Sequence, residues 1–208
     1  MISAREALVR LREGNRRFAS AGGSSEAFAT RARRAELASG QRPFAIILGC
    51  SDSRVPAEMV FDQGLGDLFV IRVAGNIVAP SQIGSVEFAA ERFGTRLVVV
   101  LGHSQCGAIA ATLEALQGPV PGSSRHLGSI VDRVRPSVEA LLASELRHDP
   151  EALVRHAVRA NIRASTDHLR HGSPLLEQLV ARDGLAVVGA EYSLETGTVD
   201  FFDGLPAA

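Results

Sequence analysis

The chain has 208 residues with 22 lysines and arginines against 23 aspartates and glutamates, a formal net charge of −1. That balance provides no global field to attract nucleic acid or anionic lipid, and the basic clusters Arg16-Arg17 and Arg31 to Arg34 read as solvated helix faces or oligomer contacts. No stretch reaches the roughly 18 apolar residues of a membrane span, and Met-Ile-Ser-Ala-Arg-Glu lacks a secretory apolar region, so a cytoplasmic protein is expected.

In chain order, residues 3–19 read as an amphipathic helix with Leu8, Leu11 and Phe18 on its apolar side. A flexible Ala-Gly-Gly-Ser-Ser stretch follows at 21–25, then a short helix over Thr30 to Ser39. This N-terminal helical arm, residues 1–40, either wraps a neighbouring subunit or packs on its own domain. Four short apolar runs follow, Phe44 to Leu48, Leu68 to Arg72, Leu97 to Leu101 and Leu185 to Gly189, each of the kind expected for a parallel strand buried on both faces. Helix-compatible segments lie at 81–93, 106–117, 127–145, 150–171 and 173–183. Gly118, Pro119, Pro121 and Gly122 mark a loop, and Glu195-Thr-Gly-Thr within 191–202 reads as a hairpin turn into a C-terminal edge strand. The alternation predicts one α/β domain over 1–208, a central mostly parallel β-sheet flanked by helices.

The two cysteines, Cys50 and Cys106, each follow an apolar run, in Cys50-Ser-Asp52-Ser-Arg54 and His103-Ser-Gln-Cys106. Thiolates and an imidazole converging from strand ends suit zinc, and three protein ligands leave a fourth position open for chemistry. A bridge between Cys50 and Cys106 is the rival use of the two thiols. Asp52 lies two residues from Cys50 and two from Arg54, so its carboxylate can meet both the metal region and a guanidinium. Held by Arg54 it would aim a reacting hydroxide; released, it would become a fourth ligand, and a permanently closed structural site is the alternative. Gly64-Leu-Gly66 lacks the spacing of a dinucleotide fingerprint, and no phosphate-binding P-loop is present.

Together CSDSR at 50–54 and HSQC at 103–106 resemble the signature pair of β-class carbonic anhydrases. The similarity runs from about Ala7 to Phe202 and includes RVAGNIV, GSVEFA and VVGAEYSLETG. The resemblance implies reversible hydration of carbon dioxide to bicarbonate and a proton by a zinc-bound hydroxide, one Zn2+ per chain, in a homodimer or homotetramer. It assigns Cys50, His103 and Cys106 to the metal and Asp52 with Arg54 to a gating dyad. Gly107 would offer a backbone amide to substrate, Gln41 a side-chain amide to bicarbonate, and Phe69 an apolar pocket wall. Phe88 stands where some members have a tyrosine reaching in from the partner subunit. An allosteric bicarbonate site of some members would use Arg72 and Tyr192, but Ile47 replaces its tryptophan; Arg72 then reads equally well as a buried ion-pair partner. His126, His148, His156, His168 and His171 are undistinguished candidates for a proton shuttle. Rival functions are a zinc hydrolase of carbon disulfide or carbonyl sulfide on this scaffold, or a non-catalytic zinc-stabilised binding module.

Overall fold

The computed structural model describes residues 2–20, 30–118, 124 and 126–206. The expected Ala-Gly-Gly-Ser-Ser stretch, and Pro119, Pro121 and Gly122 of the expected loop, lie outside them. Five strands form one sheet in the order β2-β1-β3-β4-β5. They are β1 (Ala45–Gly49), β2 (Leu68–Arg72), β3 (Leu97–His103), β4 (Ala186–Tyr192) and β5 (Val199–Asp203). The first four run parallel, and β5 returns antiparallel to β4. All five residues of β1 and all seven of β3 are buried, as strands covered on both faces must be.

Side-chain alternation along the strands divides the core in two. Ile46, Leu48, Val98, Val100 and Val187 pack against α4 (Pro80–Arg92), α5 (Gly107–Gln117), α6 (Gly128–Leu142), α7 (Pro150–His171) and α8 (Pro174–Arg182). Ile47, Val99, Leu101 and Val188 face α1 (Ala4–Ala19) and the one-turn helix α3 (Ala57–Val60). Helix α2 (Arg31–Leu37) buries none of its residues.

Helix α1 begins in a capping box: the Ser3 hydroxyl accepts from Glu6 N–H while the Glu6 carboxylate accepts from Ser3 N–H. Its Ala7, Leu8 and Leu11 are buried in this chain's own core, each leucine contributing about 1.5–3 kcal/mol. Asn15, 5% exposed, binds the arm to both neighbours: its amide donates to Val60 O and Gly197 O, and its oxygen accepts from Val199 N–H. The first helix of the arm thus packs on its own domain.

Other elements differ from expectation at their ends. Strand β3 continues two residues past Leu101 and ends on His103. Helix α6 stops at Leu142, because Ser144 caps a separate 3-10 turn, Glu145–His148, by accepting from Leu146 N–H. Helix α3 and a second 3-10 turn, Ala74–Asn76, have no counterpart in the periodicity. Each is too short for a repeating apolar pattern.

Candidate metal centre

Strands β1 and β3 are hydrogen-bonded neighbours, and both point their C-terminal ends the same way. Cys50 follows the last residue of β1, His103 is the last residue of β3, and Cys106 is the N-cap of α5. The link from His103 to Cys106 turns sharply through Gln105, whose φ of 54° is left-handed. These elements bring one ligand atom from each of the three residues within 4.8 Å of one another. The sulfurs of Cys50 and Cys106 are 3.9 Å apart, both thiols are free, and all three residues are buried.

The imidazole is oriented for ligation. Its Nδ1 lies 2.9 Å from Ser104 O, so Nδ1 carries the proton and Nε2 presents a lone pair. That Nε2 is buried with no hydrogen-bond partner. Buried polar atoms are nearly always partnered, and an orphan acceptor beside two thiols fits a dication. The donor set, two soft sulfurs and one imidazole, is one that zinc accepts.

Charge in the pocket is arranged to match. The Cys106 sulfhydryl beside Cys50 lowers the Cys50 thiol, and Gly75 N–H supports the Cys50 sulfur at 3.4 Å. Cys106 is pushed the other way, first by the hydrogen bond with Cys50 and then by burial. The hydrogen bond between the two sulfurs thus drives their proton affinities apart, and a dication, which needs both as thiolates, would expel the proton it holds. Burial opposes charge on His103, but its contacts with Cys50 and the Ser104 carbonyl outweigh burial and raise it.

Asp52 and Arg54 form a fork beside the triad. Arg54 Nε donates to Asp52 Oδ1 at 2.9 Å, Nη2 to Oδ2 at 2.8 Å, and Arg54 N–H to Oδ1 at 3.0 Å. The Arg54 side chain is the main reason the Asp52 carboxyl sits well below the usual carboxylate range. Asp52 Oδ2 is 3.8 Å from His103 Nε2, so the held carboxylate overlooks the ligand atoms.

Arg72 is exposed, not buried, and its guanidinium donates to carbonyls: Nε to Cys50 O at 3.1 Å and Nη2 to Asp52 O at 2.7 Å. The expected alternative of a buried ion pair is therefore corrected: Arg72 clamps the loop joining ligand to dyad. Tyr192 is buried opposite His103 with its ring 6.4 Å from Phe18, and Ile47 is wholly buried. Gly107 opens α5, with free space where a β-carbon would stand. The five other histidines are all exposed.

Gln41, Phe69 and Phe88 lie away from this chain's own triad. Gln41 precedes β1, at the opposite end of the strand from Cys50, and lines a cavity of ≈ 550 Å³ with Arg42, Phe44, Arg92, Phe93 and Thr95. Phe69 is in register with Ile46, roughly 13 Å along the strand from Cys50 at about 3.3 Å per residue. Phe69, Phe88 and Phe93 form one ring cluster at the open β2 edge, centroids 5.6 to 6.1 Å apart, with Phe88 53% exposed. Gly75 is a contributor to the site that motif reading missed, and Arg72 is one to which it gave a different role. Their signal was present in RVAGN, because Gly-Asn after a strand marks left-handed backbone.

A mostly parallel α/β sheet that gathers two thiols and an imidazole beyond its strand ends defines a metalloenzyme scaffold. A family profile described as "Carbonic anhydrase" matches residues 45–199. Carbonic anhydrase 2 of Mycobacterium tuberculosis is 41% identical over 188 residues, covering 90% of this chain and 87% of that protein. The carbonic anhydrase of Mycolicibacterium smegmatis is 40% identical over 191 residues, covering 91% and 89%. Among solved structures, one described with two tetrameric β-carbonic anhydrases of Sordaria macrospora superposes with a TM-score of 0.74 at 27% identity, covering 84% of this chain and 87% of that one. This chain belongs to the β-class carbonic anhydrase family and is an enzyme of that family. Among the described residues, no helix is long and apolar enough to cross a membrane.

Proposed function

We propose that the chain binds one zinc ion through Cys50, His103 and Cys106 and catalyses the reversible hydration of carbon dioxide to bicarbonate and a proton. The observation that carries this reading is the orphaned, buried His103 Nε2, set between two thiols and overlooked by a carboxylate already held by arginine. A zinc ion in that place supplies a Lewis acid that acidifies water and so provides a nucleophile near neutral pH.

The chain's own residues do the rest. Asp52, fixed by Arg54, accepts a hydrogen bond from the reacting water at Oδ2 and aims its lone pair. Because Arg54 holds the carboxylate ionised, Asp52 stays an acceptor and does not donate. Gly107 has no side chain to block approach, and we assign its amide to the substrate side of the site. Carbon dioxide is linear and uncharged, so an apolar wall and a fixed acceptor meet its needs.

In this reading the enzyme is a homo-oligomer, and Gln41, Phe69 and Phe88 serve the site of a neighbouring copy. Their distance from their own triad, the open edge of β2 and the exposed Phe88 ring support it. So does the tetrameric state named for the Sordaria macrospora enzymes. Free thiols 3.9 Å apart suit a reducing compartment, and we place the working protein in the cytoplasm. The test is stopped-flow carbon dioxide hydration on protein of verified zinc content from about pH 6.5 to 9. Fast hydration rising with pH is expected, and none at any pH with zinc bound would overturn the reading.

A further inference from the structure

Helix α7 carries an unusual run of buried polar residues. Most of its inner face is apolar, as Ala157, Val158, Ile162 and Leu169 show, yet Asn161 is 2% exposed and Ser165 5%. The two are one helical turn apart and so share a face. Burying an amide or hydroxyl is costly unless it is hydrogen-bonded, so the partners of these side chains reveal their use.

Both go to the 3-10 turn after β2. Asn161 Nδ2 donates to Gly75 O at 2.8 Å, and Ser165 Oγ donates to Asn76 O at 3.1 Å. The turn needs such support, because Gly75 at φ 69° and Asn76 at φ 43° are consecutive left-handed residues. It is also the turn whose Gly75 N–H faces the Cys50 sulfur. The amide that touches the thiol and the carbonyl that α7 grips belong to one residue. Gly102 permits the close approach: a β-carbon there would lie 2.5 Å from Ile162 Cδ1 and 3.4 Å from Asn76 Oδ1.

We infer that Asn161 is a positioning residue for the metal centre, fixing the Gly75 turn so that its N–H donates to the Cys50 sulfur. It touches neither a ligand atom nor substrate and acts through Gly75 alone. The inference rests on the reading of Cys50 as a metal ligand. An N–H donor to a thiolate draws off sulfur electron density and fixes the lone pair that faces the metal, and loss of such an outer partner typically costs about 10–100-fold in metal affinity.

The test uses the full chain loaded with zinc, or with cobalt(II) as a coloured substitute. Asn161→Ala, and the milder Asn161→Ser, are compared with Val158→Ala, which truncates a buried side chain of the same helix without removing a hydrogen bond to the turn. Circular dichroism verifies folding of each. Zinc affinity is read by competition with a chromophoric chelator, and the sulfur-to-cobalt charge-transfer band by absorption. The expected result is about 10–100-fold weaker zinc binding for both Asn161 variants. Their band should also move to longer wavelength, since sulfur without its donor gives up electron density more readily. Val158→Ala should leave both readouts in place. Wild-type affinity and an unmoved band in the folded Asn161 variants would overturn the role of Asn161 while leaving the metal site intact. No charge-transfer band in the wild-type protein would instead overturn the ligand reading itself, and this inference with it.

Discussion

Replacing Asp52 with asparagine separates the chemistry of the site from its architecture. The side chain keeps its size and one oxygen, but it loses its charge and gains a donor. Asp52 accepts three hydrogen bonds from Arg54, two at Oδ1 and one at Oδ2. Whichever way the new amide is turned, its NH2 meets an N–H of Arg54, so the fork opens. None of the three donor atoms of the Cys50, His103 and Cys106 triad is removed, and zinc content should stay at one per chain. The Arg54 side chain is 52% exposed, so water takes up its freed donors and the melting temperature should move by about 2 °C or less. Loss of the aimed acceptor should cost about 10²–10⁴-fold in kcat.

That loss should not depend on pH over the working range. The folded-state carboxyl of Asp52 is held below its ordinary value, chiefly by Arg54. Its contribution is therefore complete above the unfolded-state pKa, about 3.9, and disappears only as pH falls through the depressed folded value. Across about pH 6.5 to 9 the carboxylate is ionised throughout, so the defect should be the same at every pH tested. Stopped-flow hydration, with zinc measured on the same samples, decides the matter. Full activity in zinc-replete Asp52→Asn would refute the assigned role.

Cys106→Ser should release zinc more readily than the 10–100-fold typical of outer-shell changes; in the wild type, expulsion of ligand protons by the metal should make zinc affinity rise with pH, both read by chelator competition. Gly102→Ala drives a β-carbon to 2.5 Å from buried Ile162 and should cost about 1–3 kcal/mol, measured by thermal melting. Phe88→Asp places a charge in the exposed ring cluster and should shift the assembly to a smaller species with lower hydration activity. Light scattering after size-exclusion chromatography checks it; unchanged assembly and activity would count against Phe88 as a contact.

Which features could be read in the sequence follows from the range of the forces that set them. The runs ending near Cys50 and His103 were legible because a strand buried on both faces must be apolar at every position, and both are. The expected helices over 150–171 and 173–183 match α7 and α8 to within a residue at each end, and each of these opens on a proline, whose fixed φ suits the first helical turn. The triad followed, since ligands placed just after parallel strands converge. The turn holding Gly75 was not read as part of the site, because its contact with Cys50 spans 25 residues and leaves no periodic trace. The separation of Gln41 and Phe69 from the triad depends on strand direction and register, so motif spacing alone could not show it. Arg72 was misassigned for a related reason: its partners are main-chain carbonyls, which no residue type announces.

The pairing of β1 with β3 has a further consequence for how the site tolerates change. Gly49 stands opposite Leu101, one residue before Cys50 and two before His103. The main-chain spacing of these two ligands is thus laid out by the interval between hydrogen-bonded strands, about 4.8 Å, and an offset of one residue along them, about 3.3 Å, both backbone constants that core side chains do not set. Substitutions in the core can loosen the packing and lower the melting point while that ruler keeps its length. Drift in the interior and constancy at the metal are therefore compatible in a single sheet.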